Sequence, residues 1–162
     1  MNKVYLLIGG NMGDRRENLR RATEAIHRQC GRVTAASPLY ETEAWGLEDQ
    51  PPFLNQALEI ATDLSPVALL QCTLQIEKTL GRQRLEKYGP RPIDIDMLLY
   101  ENKVVDLPEL QVPHPQMPNR RFVLQCLADL APDYRHPVLE KTILQLLEAC
   151  TDPLKVNRLE ER

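Results

Sequence analysis

Ile93-Asp94-Ile95-Asp96-Met97-Leu98-Leu99-Tyr100 alternates aliphatic with acidic side chains and then turns wholly apolar, the period-two signature of a strand with one buried face. Ile93, Ile95, Met97 and Leu99 fall on one side. Asp94 and Asp96 fall together on the other, with Cα atoms about 6–7 Å apart. Upstream, Lys3 to Ile8 is a β-branched and aliphatic strand ended by Gly9-Gly10-Asn11. Asp14 then caps a helix whose Leu19, Ala22, Ile26 and Cys30 recur at helical spacing until Gly31. Arg32 to Tyr40 and Phe53 to Thr62 read as two further strands, separated by an irregular segment over 43–52. Ser65-Pro66 starts a second helix, with Val67, Leu70 and Leu74, flanked by Leu69 and Ile76, running to Gly81. Strand, helix, strand, strand, helix, strand is an α+β order: a ferredoxin-like βαββαβ core with an antiparallel sheet and helices on one face. Downstream, Glu101-Asn102-Lys103 turns into a short strand at Val104-Val105. Asn119 to Leu130 and Leu139 to Cys150 predict two more helices, which would complete a three-layer α/β/α sandwich, and Arg158 to Arg162 reads as a polar tail.

The remaining sequence bounds the function. A chain of 162 residues and 18.6 kDa fits a single domain over 1–162. With 43% hydrophobic and 27% charged residues, it is neither collagen-like nor low-complexity. A net charge of −3 argues against a surface built to hold nucleic acid. Cys30, Cys72, Cys126 and Cys150 form no C-x-x-C pair, so they suggest neither zinc nor a redox dithiol and read as buried small hydrophobes. The run from Val4 to Ile8 is far short of the roughly 18 residues that span a bilayer, and no signal-peptide layout precedes it. A cytoplasmic protein with no membrane partner is expected.

Paired carboxylates repel unless a proton or cation joins them, and all-oxygen ligation suits Mg²⁺. Taken alone, a D-x-D triplet is more often a solvated strand face. The neighbouring segment 82–91 carries four cations (Arg82, Arg84, Lys87, Arg91) against Glu86. A basic loop beside an acidic pair could neutralise a nucleoside triphosphate from both sides, although a charge run is also an ordinary solvated face. Val112-Pro113-His114-Pro115 and Asn119-Arg120-Arg121-Phe122 add a histidine for phosphate and two more arginines; His27 and His136 read as surface residues. Gly9-Gly10-Asn11-Met12-Gly13 matches neither phosphate-loop template, so its glycines are assigned to a tight strand-to-helix turn. Of eight aromatics, Trp45, Phe53, Tyr88 and Phe122 lie in or beside these segments. That placement favours a flat ligand, with core packing the alternative for Phe53 and Phe122.

These segments together resemble 6-hydroxymethyl-7,8-dihydropterin pyrophosphokinase over nearly the whole chain. The resemblance rests on Gly9-Gly10-Asn11, Tyr40-Glu41-Thr42, Gln50-Pro51 through Asn55, and Ile76-Glu77 through Arg82. It continues through Gly89-Pro90-Arg91-Pro92-Ile93-Asp94-Ile95-Asp96, Val112-Pro113-His114 and Asn119-Arg120-Arg121-Phe122. It implies transfer of pyrophosphate from ATP to the pterin hydroxymethyl group, releasing AMP, in folate biosynthesis. By the same resemblance, Asp94 and Asp96 hold two Mg²⁺ ions on ATP, and Arg82 and Arg91 are catalytic cations assisted by Arg84; an in-line attack on the β-phosphorus would then have Asp96 accept the hydroxyl proton. His114, Arg120 and Glu77 join the ATP site; Phe53 and Phe122 stack the pterin, and Thr42 and Asn55 bond its polar edge. Tyr88, Leu74, Pro115, Glu109 and Glu43-Ala44-Trp45 depart from the family's usual residues. The resemblance also implies a monomer; segments 43–52 and 82–91 are expected to close over both substrates and exclude water, and the chain length is expected to leave no room for a fused synthase. The other readings are a metal-dependent glycosyl or nucleotidyl transferase and an RNA-binding or regulatory module, the latter disfavoured by the acidic charge and the lack of an exposed aromatic pattern.

Overall fold

The computed structural model describes residues 1–43, 51–81 and 92–159. Strand β1 (Asn2–Gly10) lies between β4 (Phe53–Thr62) and β5 (Asp94–Tyr100), antiparallel to both. On the far side of β4 run β2 (Arg32–Ala36) and β3 (Tyr40–Thr42), and β8 (Val156–Arg158) closes the sheet against β3. Outside this sheet, β6 (Val105–Asp106) pairs with β7 (Gln111–Val112). The helices are α1 (Arg15–Gln29), α2 (Pro66–Thr79), α3 (Arg121–Leu130) and α4 (Ile143–Ala149). The result is an antiparallel sheet with four helices among the described residues. None of them is long and apolar enough to cross a membrane.

β1 is buried on both faces. Val4, Leu6 and Ile8 pack with Leu19, Ala22 and Ile26 of α1 and Leu69 and Ile76 of α2. Tyr5 and Leu7 pack with Val123, Leu124 and Leu127 of α3 and Ile143 and Leu146 of α4. The caps read from the sequence are present: Asp14 accepts from Glu17 N at 3.2 Å and Ser65 Oγ from Ala68 N at 3.3 Å.

Several expectations are corrected. The strand expected over 32–40 breaks at Ser37-Pro38-Leu39, because Pro38 has no N–H for the ladder. Ser37 bridges the gap by exchanging bonds with Ala57, N to O and N to Oγ, both 2.9 Å. Strict alternation fails in β5: Met97 opposes Leu6 and Leu99 opposes Tyr5, so Leu98 is an extra residue. Leu99 consequently packs with the α3/α4 cluster and Tyr100 with the α1/α2 cluster, opposite to the expected faces. Gly9 and Gly10 belong to β1 and not to the turn; Gly13, at φ 62°, supplies the turn's left-handed residue. The third helix begins at Arg121, after a 3₁₀ turn at Met117–Asn119. Its first N–H is met by Asp152 at 3.0 Å, and the Arg121 side chain ties down Asp152 O and Cys150 O. The fourth helix starts only at Ile143, because Thr142 and Gln145 form a capping box. Part of the expected tail is β8.

Two side-chain expectations also change. Cys30, at the end of α1, is joined to Cys72 of α2 in a disulfide with Cα atoms 6.1 Å apart, while Cys126 is a buried free thiol and Cys150 a half-buried one. Burial pushes the Cys126 thiol up to about 12. His136 is buried, not at the surface. Its Nδ1 accepts the N–H groups of Val138 (3.2 Å) and Leu139 (3.0 Å), and burial holds its pKa below the usual histidine value. Charging the ring would put a proton where two donors already point. Its contribution to stability is therefore full above the unfolded value near 6.5 and is lost as pH falls through the lower folded value. Urea midpoints at pH 7.5 and 5.5 test this: His136→Asn, which keeps a short acceptor but cannot titrate, loses less stability between the two pH values than the parent. Equal losses would remove His136 from the acid response.

Candidate functional site

One row of the sheet carries most of the candidate residues. Asp94 of β5 pairs with Gly9 of β1, Gly9 with Asn55 of β4, and Asn55 with Tyr40 of β3. Asp96 sits in the row of Leu7 and Ala57, so both aspartates share the face covered by α3, as period two required. Asp94 is half-buried and Asp96 exposed. Asp94 and Asn55 are two strand spacings apart, roughly 9–10 Å. That separation is within reach of a substituent on a flat ring held at Asn55.

The pterin-side candidates gather beside Asn55. Asn55 and Thr42 are both 4% exposed, and Asn55 Nδ2 donates to Thr42 Oγ1 at 3.2 Å. That leaves the Asn55 carbonyl oxygen and the Thr42 hydroxyl proton for a ligand's edge. A Cβ at Gly9 would fall on Asn55 Oδ1 and lie 3.1 Å from Leu54 O, so the absence of a side chain there is what seats the amide. Phe53 pairs with Thr42 on the same face, and Phe122, in the first turn of α3, packs half-buried at the edge of the cluster above it.

His114 is docked beside β5 through the bulge, in the electrostatic neighbourhood of Asp96. The carbonyl of the extra residue, Leu98, accepts His114 N–H at 3.0 Å, after the cis Val112–Pro113 peptide. Nδ1 of His114 accepts from Gln116 N at 3.2 Å, which leaves the neutral ring's proton on Nε2, a donor suited to a phosphate oxygen. Burial pushes the His114 pKa down, Asp96 pulls it up and Arg120 pushes it down again. All three therefore share one electrostatic neighbourhood.

Glu77 is 4% exposed on α2, and its Oε2 accepts the N–H of Ile95, the residue between the two aspartates, at 2.7 Å. Arg82, Arg84, Arg91, Tyr88 and Trp45 lie outside the described residues. Sequence reasoning gave no task to Asn11 or Arg15. Asn11, 2% exposed, donates to Pro51 O at 3.1 Å; Arg15 donates to Pro52 O at 3.0 Å and pairs with Glu41 at 2.7 Å. Together they fix the entry to β4 just before Phe53. The only sequence signal for them was Asn11's place after the glycines.

Comparison with known proteins decides the family. The model of the 7,8-dihydro-6-hydroxymethylpterin-pyrophosphokinase family matches residues 5–132. The chain belongs to this family. It is 45% identical over 130 residues to the 2-amino-4-hydroxy-6-hydroxymethyldihydropteridine pyrophosphokinase of Bacillus subtilis, covering 80% of this chain and 78% of that protein. Its identity to the Pseudomonas aeruginosa protein of the same name is 42% over 151 residues, 93% of each. The fold is similar to that of Plasmodium falciparum HPPK-DHPS crystallised with pterin and p-hydroxybenzoate (TM-score 0.74, 19% identity), which covers 91% of this chain and 41% of that one. The pyrophosphokinase family match spans β1 to α3, and so includes every described candidate residue.

Proposed function

We propose that this chain transfers pyrophosphate from ATP to the hydroxymethyl group of 6-hydroxymethyl-7,8-dihydropterin, releasing AMP, as a step of folate biosynthesis. The observation that carries this reading is the row Asp94–Gly9–Asn55, with the Asn55–Thr42 pair at one end and Asp96, His114 and Arg120 at the other, in a chain of this family. Phe53 and Phe122 stack the pterin ring, and Asn55 and Thr42 hold its polar edge. Ring stacking and edge bonds fix the ring's orientation, so the hydroxymethyl oxygen is aimed along the row at the β-phosphorus for in-line attack. His114 Nε2 and Arg120 hold phosphate oxygens, and Arg82 and Arg91, with Arg84 assisting, carry the charge that builds on transfer. Asp96 takes the hydroxyl proton.

Two carboxylates on one strand face, Asp94 half-buried and Asp96 exposed, suit Mg²⁺, which prefers one or two carboxylates plus phosphate oxygens and water. Two such ions bound by Asp94 and Asp96 would draw negative charge from the attacking and leaving oxygens.

The strand order β5-β1-β4 with β2 and β3 beyond it, and core clusters on both faces of β1, support a ferredoxin-like core in a three-layer sandwich forming one domain. We place the protein in the cytoplasm as a monomer with no nucleic-acid or membrane partner. The test is incubation with the reduced hydroxymethylpterin, ATP and Mg²⁺. AMP appearing with pyrophosphorylated pterin supports the reading, and release of free pyrophosphate, the mark of nucleotidyl transfer, overturns it.

A further inference from the structure

Glu77 is the only carboxylate on α2 and is 4% exposed. Burying a carboxylate is costly unless strong hydrogen bonds offset the lost water. Its Oε2 takes the Ile95 N–H at 2.7 Å, a charge-assisted bond roughly twice as strong as a neutral one. Ile95 lies on the outer strand of the sheet, and its side chain is anchored in the α1/α2 core at 7% exposure. Its peptide is thus held from two sides, by its own side chain and by Glu77. In a strand, the directions of the neighbouring side chains follow from the backbone. Fixing the Ile95 peptide therefore fixes the aim of Asp94 and Asp96 on the opposite face.

We propose that Glu77 is a positioning residue for divalent-cation and ATP binding, acting on the Asp94/Asp96 pair through the Ile95 amide and not by touching ATP. The inference rests on the reading of those aspartates as cation ligands. Partners that orient ligands in this way typically change metal affinity by about 10–100-fold when removed.

The test measures Mn²⁺ binding by electron paramagnetic resonance in the presence of a non-hydrolysable ATP analogue, and Ile95 amide exchange by NMR in the metal-free protein. The variants are Glu77→Ala, Glu77→Gln, Glu77→Asp and Asp96→Asn. Glu77→Ala is expected to weaken Mn²⁺ binding by about 10-fold or more and to speed Ile95 exchange. Glu77→Gln, which keeps an acceptor at the same reach, restores most of both. Glu77→Asp, whose carboxylate is one methylene short, falls between and carries the test if the alanine variant does not fold. Faster Ile95 exchange with unchanged Mn²⁺ affinity would reduce Glu77 to a fold-supporting residue and overturn the proposal. If Asp96→Asn binds Mn²⁺ as tightly as the parent protein, the aspartate reading fails and the inference falls with it.

Discussion

Asp96→Ala eliminates AMP formation, with an expected loss of about 10³-fold or more in kcat, while urea unfolding stays a single cooperative transition. The two halves of that expectation have different origins. Asp96 is exposed near the start of an outer strand, so truncating it opens no cavity in the core. Surface changes of this kind usually alter stability by within about 0.5 kcal/mol. Removing one of two same-face carboxylates also relieves their mutual repulsion. The rate is another matter. Phosphoryl-type transfer leaves little covalent work for the protein, so the barrier is lowered mainly by positioning and charge. A metal bound at the reacting phosphates supplies several kcal/mol of that lowering, and about 4 kcal/mol corresponds to roughly 10³ in rate. Quantifying AMP by chromatography alongside a urea titration separates the effects. Undiminished turnover in a folded variant would remove Asp96 from the chemistry.

The shared direction of Asp94 and Asp96 was legible because it needs only the two-residue period of a strand, and the caps at Asp14 and Ser65 because they act within three residues. Features set by distant partners were not legible. Cys30 and Cys72 are 42 positions apart and meet only when α1 and α2 pack. Asp152 reaches the start of α3 across 31 positions. The Leu98 bulge is invisible in a run of apolar residues, since either face would accept a leucine, yet it decides where Leu99 and Tyr100 go and offers the carbonyl that docks His114. His136 was misplaced because its ring is enclosed by a turn closed through the backbone N–H groups of Val138 and Leu139 and the carbonyl of Lys141, bonds that residue type does not reveal. At the site, the residue types were readable, whereas the Gly9–Asn55 contact and the Glu77–Ile95 bond needed the register of the sheet and the seating of α2.

Gly9→Ala is the sharpest test of that register. By propensity alone, alanine in a strand gains about 0.5–1 kcal/mol over glycine, because the unfolded chain loses freedom. Against this, the new methyl would fall on Asn55 Oδ1 and lie 3.1 Å from the Leu54 carbonyl, in a row where Asn55 is only 4% exposed. Inserting a methyl into such a site costs about 1–3 kcal/mol. The steric cost exceeds the propensity gain, so the variant is destabilised on balance. Relief requires the Asn55 amide to swing away, which breaks its 3.2 Å bond to Thr42 and removes both groups from the pterin's edge. The KM for the pterin should rise by about 10-fold or more, the scale of one lost buried hydrogen-bonding group, with the KM for ATP little changed. A double-mutant cycle isolates the contact. In Gly9→Ala/Asn55→Ala the overlap with Oδ1 is gone and only the 3.1 Å approach to the Leu54 carbonyl remains, so stability recovers most of the way towards that of Asn55→Ala alone while pterin affinity stays low. Additive losses of stability in the double variant, or an unchanged pterin KM in Gly9→Ala, would mean that Gly9 does not make the space in which Asn55 meets the substrate.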